Sequence, residues 1–240
     1  MKKAEVCQLI RETGVIPAIR VSSPEDAHFA ADAVASGGIP IVELTVTVPD
    51  AVKLISHLVR CRPKMLVGAG TVLNAEMAAQ CVDAGACFLT SPGLNPKVVG
   101  FAAQKEIAVL PGALTPTEVI EAWEAGSDFV KVFPCAQVGG DKYIKALKTS
   151  LPQIPLIAAG GVTQFTAIDF ILAGATAIGV GKELIPPEAI EHREVARIKE
   201  LAHRFLGFVK EARHRLEPQK GSAKPIEADF WKTRKHAPIG

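Results

Sequence analysis

The chain alternates short apolar, β-rich runs with amphipathic helical patterns over most of its 240 residues, and this alternation constrains the fold more than any other feature. Strands that alternate with helical segments are typical of a parallel sheet, because each helix carries the chain back to start the next strand. The predicted strands are Val15–Arg20, Pro40–Val46, Met65–Ala69, Cys87–Thr90, Ala108–Leu110, Asp128–Phe133, Leu156–Ala159 and Ala177–Val180. The predicted helices between them are Pro24–Ala35, Ala51–Arg60, Ala75–Ala84, Pro96–Gln104, Pro116–Ala125, Lys142–Thr149 and Gln164–Leu172. Eight such strands predict an α/β fold, a single-domain (β/α)8 TIM barrel.

A weak internal repeat supports the barrel. A small residue followed by Gly recurs at positions 36–38, 84–86, 125–127 and 173–175, just before the second, fourth, sixth and eighth strands. Glycine there suits the left-handed residue that ends a helix, and the repeat indicates double βα units. The rival topology is an open, doubly wound sheet. It is disfavoured because no Gly-rich dinucleotide fingerprint follows the first strand.

The barrel is predicted to occupy residues 1–215. A helix-like segment precedes the first strand, and a long helical pattern runs from Pro186-Pro187 to about Arg215. Residues 216–240 are rich in Lys, Pro and polar residues, which predicts a basic tail that is disordered or packed on a neighbouring molecule.

Composition excludes several classes of protein. The net charge of +2 does not indicate a nucleic-acid partner. Five cysteines without CxxC or metal-ligand spacing predict free thiols in a reducing cytoplasm. The six histidines fall in helical patterns or the tail, so no metal or other cofactor is expected. The N-terminus lacks a signal-peptide core and no stretch predicts a membrane span.

Lys131 is the residue with the strongest chemical signal, because it stands inside the apolar run 129–134. An ammonium group is costly to bury, so a Lys in this setting is a candidate amine nucleophile for a carbonyl substrate. The alternative is structural: a buried ion pair, or a Lys at a strand end whose amine reaches water.

Side-chain alternation predicts which polar residues share the barrel interior with Lys131. On the second strand it places Glu43, Thr45 and Thr47 on one face, and on the first strand it permits Arg20 to end inward. An inward Glu and Lys can form a buried ion pair or serve as a Schiff-base amine with its acid/base partner. Arg20 would then be placed to bind a substrate carboxylate.

Glycines at the ends of the last two strands indicate a second subsite. Gly160-Gly161 follows the seventh strand, and Gly181-Lys182 follows the eighth. In many barrels these two loops bind phosphate through backbone N–H groups, and Lys182 would add charge. Glycines that only form tight turns are the alternative. Cys135 is interpreted as a packing residue.

These motifs together resemble the class I 2-keto-3-deoxy-6-phosphogluconate (KDPG) aldolases, a family often assigned 4-hydroxy-2-oxoglutarate (KHG) aldolase activity. The matching stretches cover about residues 10–190 and are Val42–Thr45, Val67–Asn74, Ser91–Leu94, Pro111-Gly112, Lys131–Pro134 and Gly160-Gly161. The resemblance implies a cofactor-free, homotrimeric lyase of carbohydrate metabolism (Entner–Doudoroff type). It would reversibly cleave a 2-keto-4-hydroxy acid to pyruvate and an aldehyde, which for KDPG is glyceraldehyde 3-phosphate.

The resemblance also implies a role for individual residues. Lys131 would form the Schiff base, and Glu43 would be the acid/base for the C4 hydroxyl and the C3 protons. The implied substrate contacts are Thr71 and Pro92 at the pyruvate end, Phe133 beside the imine, and Gly160, Gly161, Gly181 and Lys182 at the phosphate.

Three positions depart from the family pattern. Thr47 stands where many members carry an Arg, so carboxylate binding is assigned to Arg20, with Thr47 nearby. Ala159 replaces a common Thr, and Lys182 a common Ser. These departures leave KHG and the galactonate epimer of KDPG open as substrates. A phosphosugar isomerase or epimerase without a covalent imine, and a protein that only binds sugar acids, are the alternatives from other classes.

Overall fold

The computed structural model describes residues 1–217; the tail prediction for 216–240 therefore lies almost wholly outside the described residues. The strands are β1 (Val15–Ile19), β2 (Ile41–Thr45), β3 (Leu66–Gly70), β4 (Phe88–Thr90), β5 (Ala108–Leu110), β6 (Gly112–Ala113), β7 (Val130–Val132), β8 (Leu156–Ala159) and β9 (Ala177–Val180). The helices are α1 (Lys3–Thr13), α2 (Pro24–Ser36), α3 (Ala51–Cys61), α4 (Ala75–Asp83), α5 (Pro96–Gln104), α6 (Pro116–Glu124), α7 (Asp141–Ser150), α8 (Ala167–Leu172), α9 (Pro187–Glu191) and α10 (Val195–Leu216).

All strand pairs are parallel, and their order is β5-β4-β3-β2-β1-β9-β8-β7-β6. The predicted fifth strand is divided at Pro111, so nine short strands replace the eight expected. The N–H of Asp128, just before β7, donates to the carbonyl of Val109 of β5 at 3.0 Å, and the N–H of Lys131 in β7 donates to the carbonyl of Pro111 at 2.9 Å. β5 and β6 thus act as one bent strand that joins the two ends of the sheet. The predicted (β/α)8 barrel is confirmed with this correction.

The strand ends also differ from the prediction, and one difference affects the site. β2 ends at Thr45 because the backbone then turns, with the N–H of Val48 donating to the carbonyl of Thr45 at 3.0 Å. Thr47 consequently lies exposed in this turn. Its predicted position inside the barrel is wrong, because strand alternation does not extend that far.

Local sequence signals explain where several helices begin. The Ser23 hydroxyl accepts a hydrogen bond from the N–H of Asp26 at 3.1 Å, and the Asn74 side chain accepts one from Met77 at 2.8 Å. Thr115 and Glu118 form a reciprocal capping box at the start of α6. These interactions satisfy backbone donors that a helix start leaves free, and they confirm the predicted starts.

The barrel is filled at its lower end and open at its upper end. Phe88 and Phe129 are fully buried, and the ring of Phe88 lies so close to Gly68 that an added Cβ there would be 2.2 Å from it. Helix α1 packs beneath the strands, with the Arg11 guanidinium 4.6 Å from the centre of the Phe129 ring. The opposite end, at the carboxyl ends of the strands, holds the site. Among residues 1–217, no helix is both long and apolar enough to cross a membrane.

Candidate active site

A cavity of about 1120 Å³ opens at the carboxyl ends of the strands, where barrels of this type carry their sites. It is lined by polar side chains and backbone groups from the ends of β1, β2, β7, β8 and β9. Eight of the eleven predicted site residues line it: Arg20, Glu43, Lys131, Phe133, Gly160, Gly161, Gly181 and Lys182. Residues far apart in sequence therefore surround one chamber.

Lys131 and Glu43 lie together at the base of this cavity. The Nζ of Lys131 is 3.5 Å from the Oε2 of Glu43, and the two side chains are only 14% and 5% exposed. A tight charge-assisted hydrogen bond would measure about 2.7–2.9 Å. The separation here is longer, so the amine is adjacent to the carboxylate without being locked to it. This geometry fits a nucleophile with a neighbouring acid/base, and the two groups also lie within salt-bridge distance.

The register of the barrel brings these two residues together. Lys131 pairs with Gly112 of β6 and Ile157 of β8, while Glu43 pairs with Ala18 of β1 and Gly68 of β3. The ring of Phe133 lies beside the amine, with its centre 5.5 Å from Nζ. The strands thus supply a rigid support for both functional groups.

Gly70 leaves the space that the Glu43 carboxylate occupies. A Cβ added to Gly70 would lie 2.2 Å from Oε1 of Glu43 and 2.7 Å from its Cδ, well inside contact distance.

We expect the substitution Gly70→Ala to displace the Glu43 carboxylate and to lower kcat/KM by about 10²-fold, the cost of a shift of about 1 Å in a catalytic group. Steady-state aldol cleavage measures this. Gly207→Ala is the control, since an added Cβ there meets nothing within 4 Å; equal activity of both variants would contradict the placement.

The far side of the cavity is rich in donors for an anion. Gly160 and Gly161 have φ of 83° and 90°, and an added Cβ would lie 2.8 Å from Pro134 and 2.3 Å from Ala136, respectively. Within residues 1–217, the backbone N–H groups of Gly161 and Lys182 have no backbone acceptor. The two loops therefore present free donors to the cavity, as a phosphate-binding site requires.

Two cationic side chains at this cavity are also unpaired. Arg20 and Lys182 are exposed, and neither forms a salt bridge with a carboxylate of the described part of the chain. Arg20 follows β1 and Lys182 follows β9, which pair with each other, so both charges stand at neighbouring strand ends. Both side chains are available to an anionic ligand, although the lining also carries four carboxylates, those of Asp26, Glu43, Glu183 and Glu191.

Three predicted site residues lie outside the lining of this cavity. Thr47 is in the exposed turn described above. Pro92 instead lines a smaller adjoining cavity of about 360 Å³ that shares Phe133 with the first. Thr71 follows β3 with a φ of 62°, which is rare for a β-branched residue and typical of strained functional positions. Their roles as substrate contacts stay predictions.

Sequence reasoning missed a hydroxyl beside the amine. The Oγ1 of Thr90, at the end of β4, is 3.5 Å from Nζ of Lys131. A threonine at a strand end is common, so only the register across the barrel identifies it. Thr45 is another buried hydroxyl, fully enclosed on the Glu43 face of β2, without a hydrogen-bond partner among the described residues.

Cys135 follows the nucleophile strand but is not arranged for catalysis. It is fully buried, and burial raises the pKa of its thiol to about 11, so it stays protonated at neutral pH. Its Sγ contacts the carbonyl of Gly160 at 3.4 Å, in agreement with a packing role.

Within residues 1–217, no three His, Cys, Asp or Glu side chains are placed to hold a metal ion.

A parallel barrel with a buried amine beside a carboxylate at its open end fits a lyase of the aldolase type. The chain belongs to the KDPG and KHG aldolase family, whose sequence model matches residues 6–201.

Known members support this membership over most of the chain. The KHG/KDPG aldolase of Escherichia coli K12 is 33% identical over 189 residues, which are 78% of this chain and 88% of that protein. The KDPG aldolase of Legionella pneumophila, solved with pyruvate as a covalent carbinolamine intermediate, is 31% identical with a TM-score of 0.77, covering 82% and 96% of the two chains. The Zymomonas mobilis KDPG aldolase, solved with 3-phosphoglycerate, is 29% identical with a TM-score of 0.78, covering 86% and 97%.

Proposed function

We propose that this chain is a class I aldolase that reversibly cleaves KDPG to pyruvate and glyceraldehyde 3-phosphate through a Schiff base on Lys131. The observation that carries this proposal is the pair formed by Lys131 and Glu43, whose Nζ and Oε2 are 3.5 Å apart at the base of an open cavity. Relatives named for this reaction, one of them with pyruvate attached covalently, support it.

The reaction would begin at Lys131. Its neutral amine attacks the C2 ketone of the substrate and, after loss of water, forms an iminium that accepts electrons. Glu43 then removes the proton of the C4 hydroxyl, so that the C3–C4 bond breaks and its electron pair forms an enamine. The aldehyde departs, Glu43 returns the proton to C3, and water hydrolyses the imine to release pyruvate and the free amine.

The two charged ends of the substrate would bind different groups of the cavity lining. Arg20 would bind the carboxylate of the keto acid, because its planar guanidinium matches a carboxylate in a bidentate pair. The unpaired N–H groups of Gly161 and Lys182 and the Lys182 ammonium would bind the phosphate. The space beside Gly181 is open, since an added Cβ there meets nothing within 4 Å.

The free anion donors suit the distal anion of the substrate, which is a phosphate in KDPG and a carboxylate in KHG, and we favour the phosphate. We expect kcat/KM for KDPG to exceed that for its dephosphorylated analogue. Lys182→Ala should raise KM for KDPG about tenfold, equivalent to about 1.4 kcal/mol, while KM for the dephosphorylated analogue stays unchanged. Lys210→Ala removes an exposed charge elsewhere and is the control. Equal use of both substrates by the unaltered enzyme would show that the phosphate is not required, and KHG, which stands in the name of the E. coli relative, would then be tested as the substrate.

The stereochemistry at C4 separates KDPG from its galactonate epimer, and turnover of the two purified epimers decides between them.

A homotrimer, a cytoplasmic location and a place in Entner–Doudoroff metabolism are further parts of this proposal, supported by the family resemblance and the composition. Light scattering tests the trimer, which would have three times the 25.4 kDa mass of the chain.

A further inference from the structure

Thr90 carries a hydroxyl in contact with the reactive amine. It is the last residue of β4 and only 2% exposed, and its Oγ1 is 3.5 Å from Nζ of Lys131. This equals the distance from Nζ to Glu43, so the amine stands between a carboxylate and a hydroxyl. Both contacts come from strands other than β7, which carries Lys131.

In the described part of the chain, the Thr90 hydroxyl forms no hydrogen bond apart from its contact with Lys131. Within the described residues, Lys131 is the partner recorded for Oγ1, and the backbone carbonyl of Thr90 separately accepts the N–H of Val72 at 3.0 Å. Burying a hydroxyl without a good hydrogen bond is unfavourable, and a valine would fill a similar volume at this position in the strand. Within the described residues, the Lys131 amine is therefore the group within reach of this hydroxyl.

We propose that Thr90 positions the Lys131 amine and transfers a proton during formation of the carbinolamine. This inference rests on the proposed Schiff-base function. Attack of Nζ on the C2 carbonyl forms the N–C bond and leaves a positive charge on nitrogen and a negative charge on oxygen. The Thr90 oxygen accepts a proton from the nitrogen while its own proton passes to the C2 oxyanion. The product is neutral carbinolamine, and the threonine is regenerated.

A hydroxyl suits this transfer because it both donates and accepts, whereas the Glu43 carboxylate, when ionised, only accepts. Glu43 is thereby left for the later steps at the C4 hydroxyl and C3. Thr90 thus acts during formation of the adduct, and Glu43 acts during bond cleavage and proton exchange.

The test compares Thr90→Val, which removes the hydroxyl at nearly constant volume, with Thr90→Ser, which keeps it. Each folded variant is mixed with pyruvate and quenched with borohydride at successive times, and the reduced adduct on Lys131 is measured by mass. We expect the rate of adduct formation to fall about 10- to 100-fold in Thr90→Val and to stay near the unaltered rate in Thr90→Ser. C3 proton exchange per adduct formed should be the same in both, because Glu43 is untouched.

Thr90→Ala provides a second hydroxyl-free variant if Thr90→Val does not fold, and the same slowing is expected. A rate within twofold of the unaltered enzyme in the hydroxyl-free variant would overturn the inference, as would a Thr90→Ser variant that is equally slow. Failure of the unaltered enzyme to form any adduct would instead overturn the proposed Schiff-base function, so the two failures are distinguishable.

Discussion

Lys131→Ala is expected to abolish aldol cleavage, with a fall in kcat/KM of about 10⁴-fold or more, the order of loss seen when an enzyme loses its covalent nucleophile. The reason is geometric. Among the residues that line the cavity, Lys131 alone places an amine at its base beside a buried carboxylate, whereas Lys182 is exposed at the rim. Without an imine, the electrons of the C3–C4 bond have no acceptor.

Lys131→Arg is the informative companion variant. It keeps a long basic side chain next to Glu43 but offers no nucleophilic amine, because a guanidinium is not deprotonated in proteins. Both variants should therefore be inactive, while thermal unfolding shows whether each remains folded. Substantial cleavage by either folded variant would contradict the assignment of Lys131 as the nucleophile.

Glu43→Gln should produce the second largest effect, and a different one. We expect about 10²- to 10⁴-fold slower exchange of the C3 protons of pyruvate, the usual range for loss of a general acid/base. The rate at which pyruvate forms an adduct on Lys131 should change much less, because the nucleophile is intact. The amide is close in size to the carboxylate, so the packing against Gly70 is preserved.

The measurement for Glu43→Gln combines exchange of pyruvate protons in D₂O, followed by NMR, with timed borohydride trapping of the adduct. Thr90→Val serves as the opposite control, since it should slow trapping and leave exchange per adduct unchanged. Equal losses of exchange and trapping in Glu43→Gln would show that Glu43 acts on Lys131 or on the fold and does not act as the acid/base.

The fold could be predicted from the sequence because the sequence features that determine its helices and strands are local. Apolar runs, cap residues such as Ser23 and Asn74, and helix-ending glycines such as Gly85 each depend on a few neighbouring residues. The division of the fifth strand was not predicted, although Pro111 is visible in the sequence. Its effect depends on which neighbour each half pairs with, which only the closed barrel determines.

Part of the site could also be predicted from the sequence, for a similar reason. Lys131 and Glu43 stand out because they are charged residues within apolar strands. Thr47 was misplaced because hydrophobic alternation continues in the sequence beyond the point where the backbone turns at Thr45. Thr90 and Gly70 carry no local signal, since their importance lies in distances across the barrel to side chains of other strands.

Formation of a covalent adduct between pyruvate and Lys131 is the central claim, and one measurement tests it most directly. The protein is incubated with pyruvate and sodium borohydride, its intact mass is determined, and the modified residue is located by peptide mapping. We predict one reduced pyruvyl group per chain, located on Lys131, and none when pyruvate or borohydride is omitted. Folded protein without an adduct, or with the adduct on another lysine, would contradict the account and favour an isomerase, an epimerase or a sugar-acid binding protein.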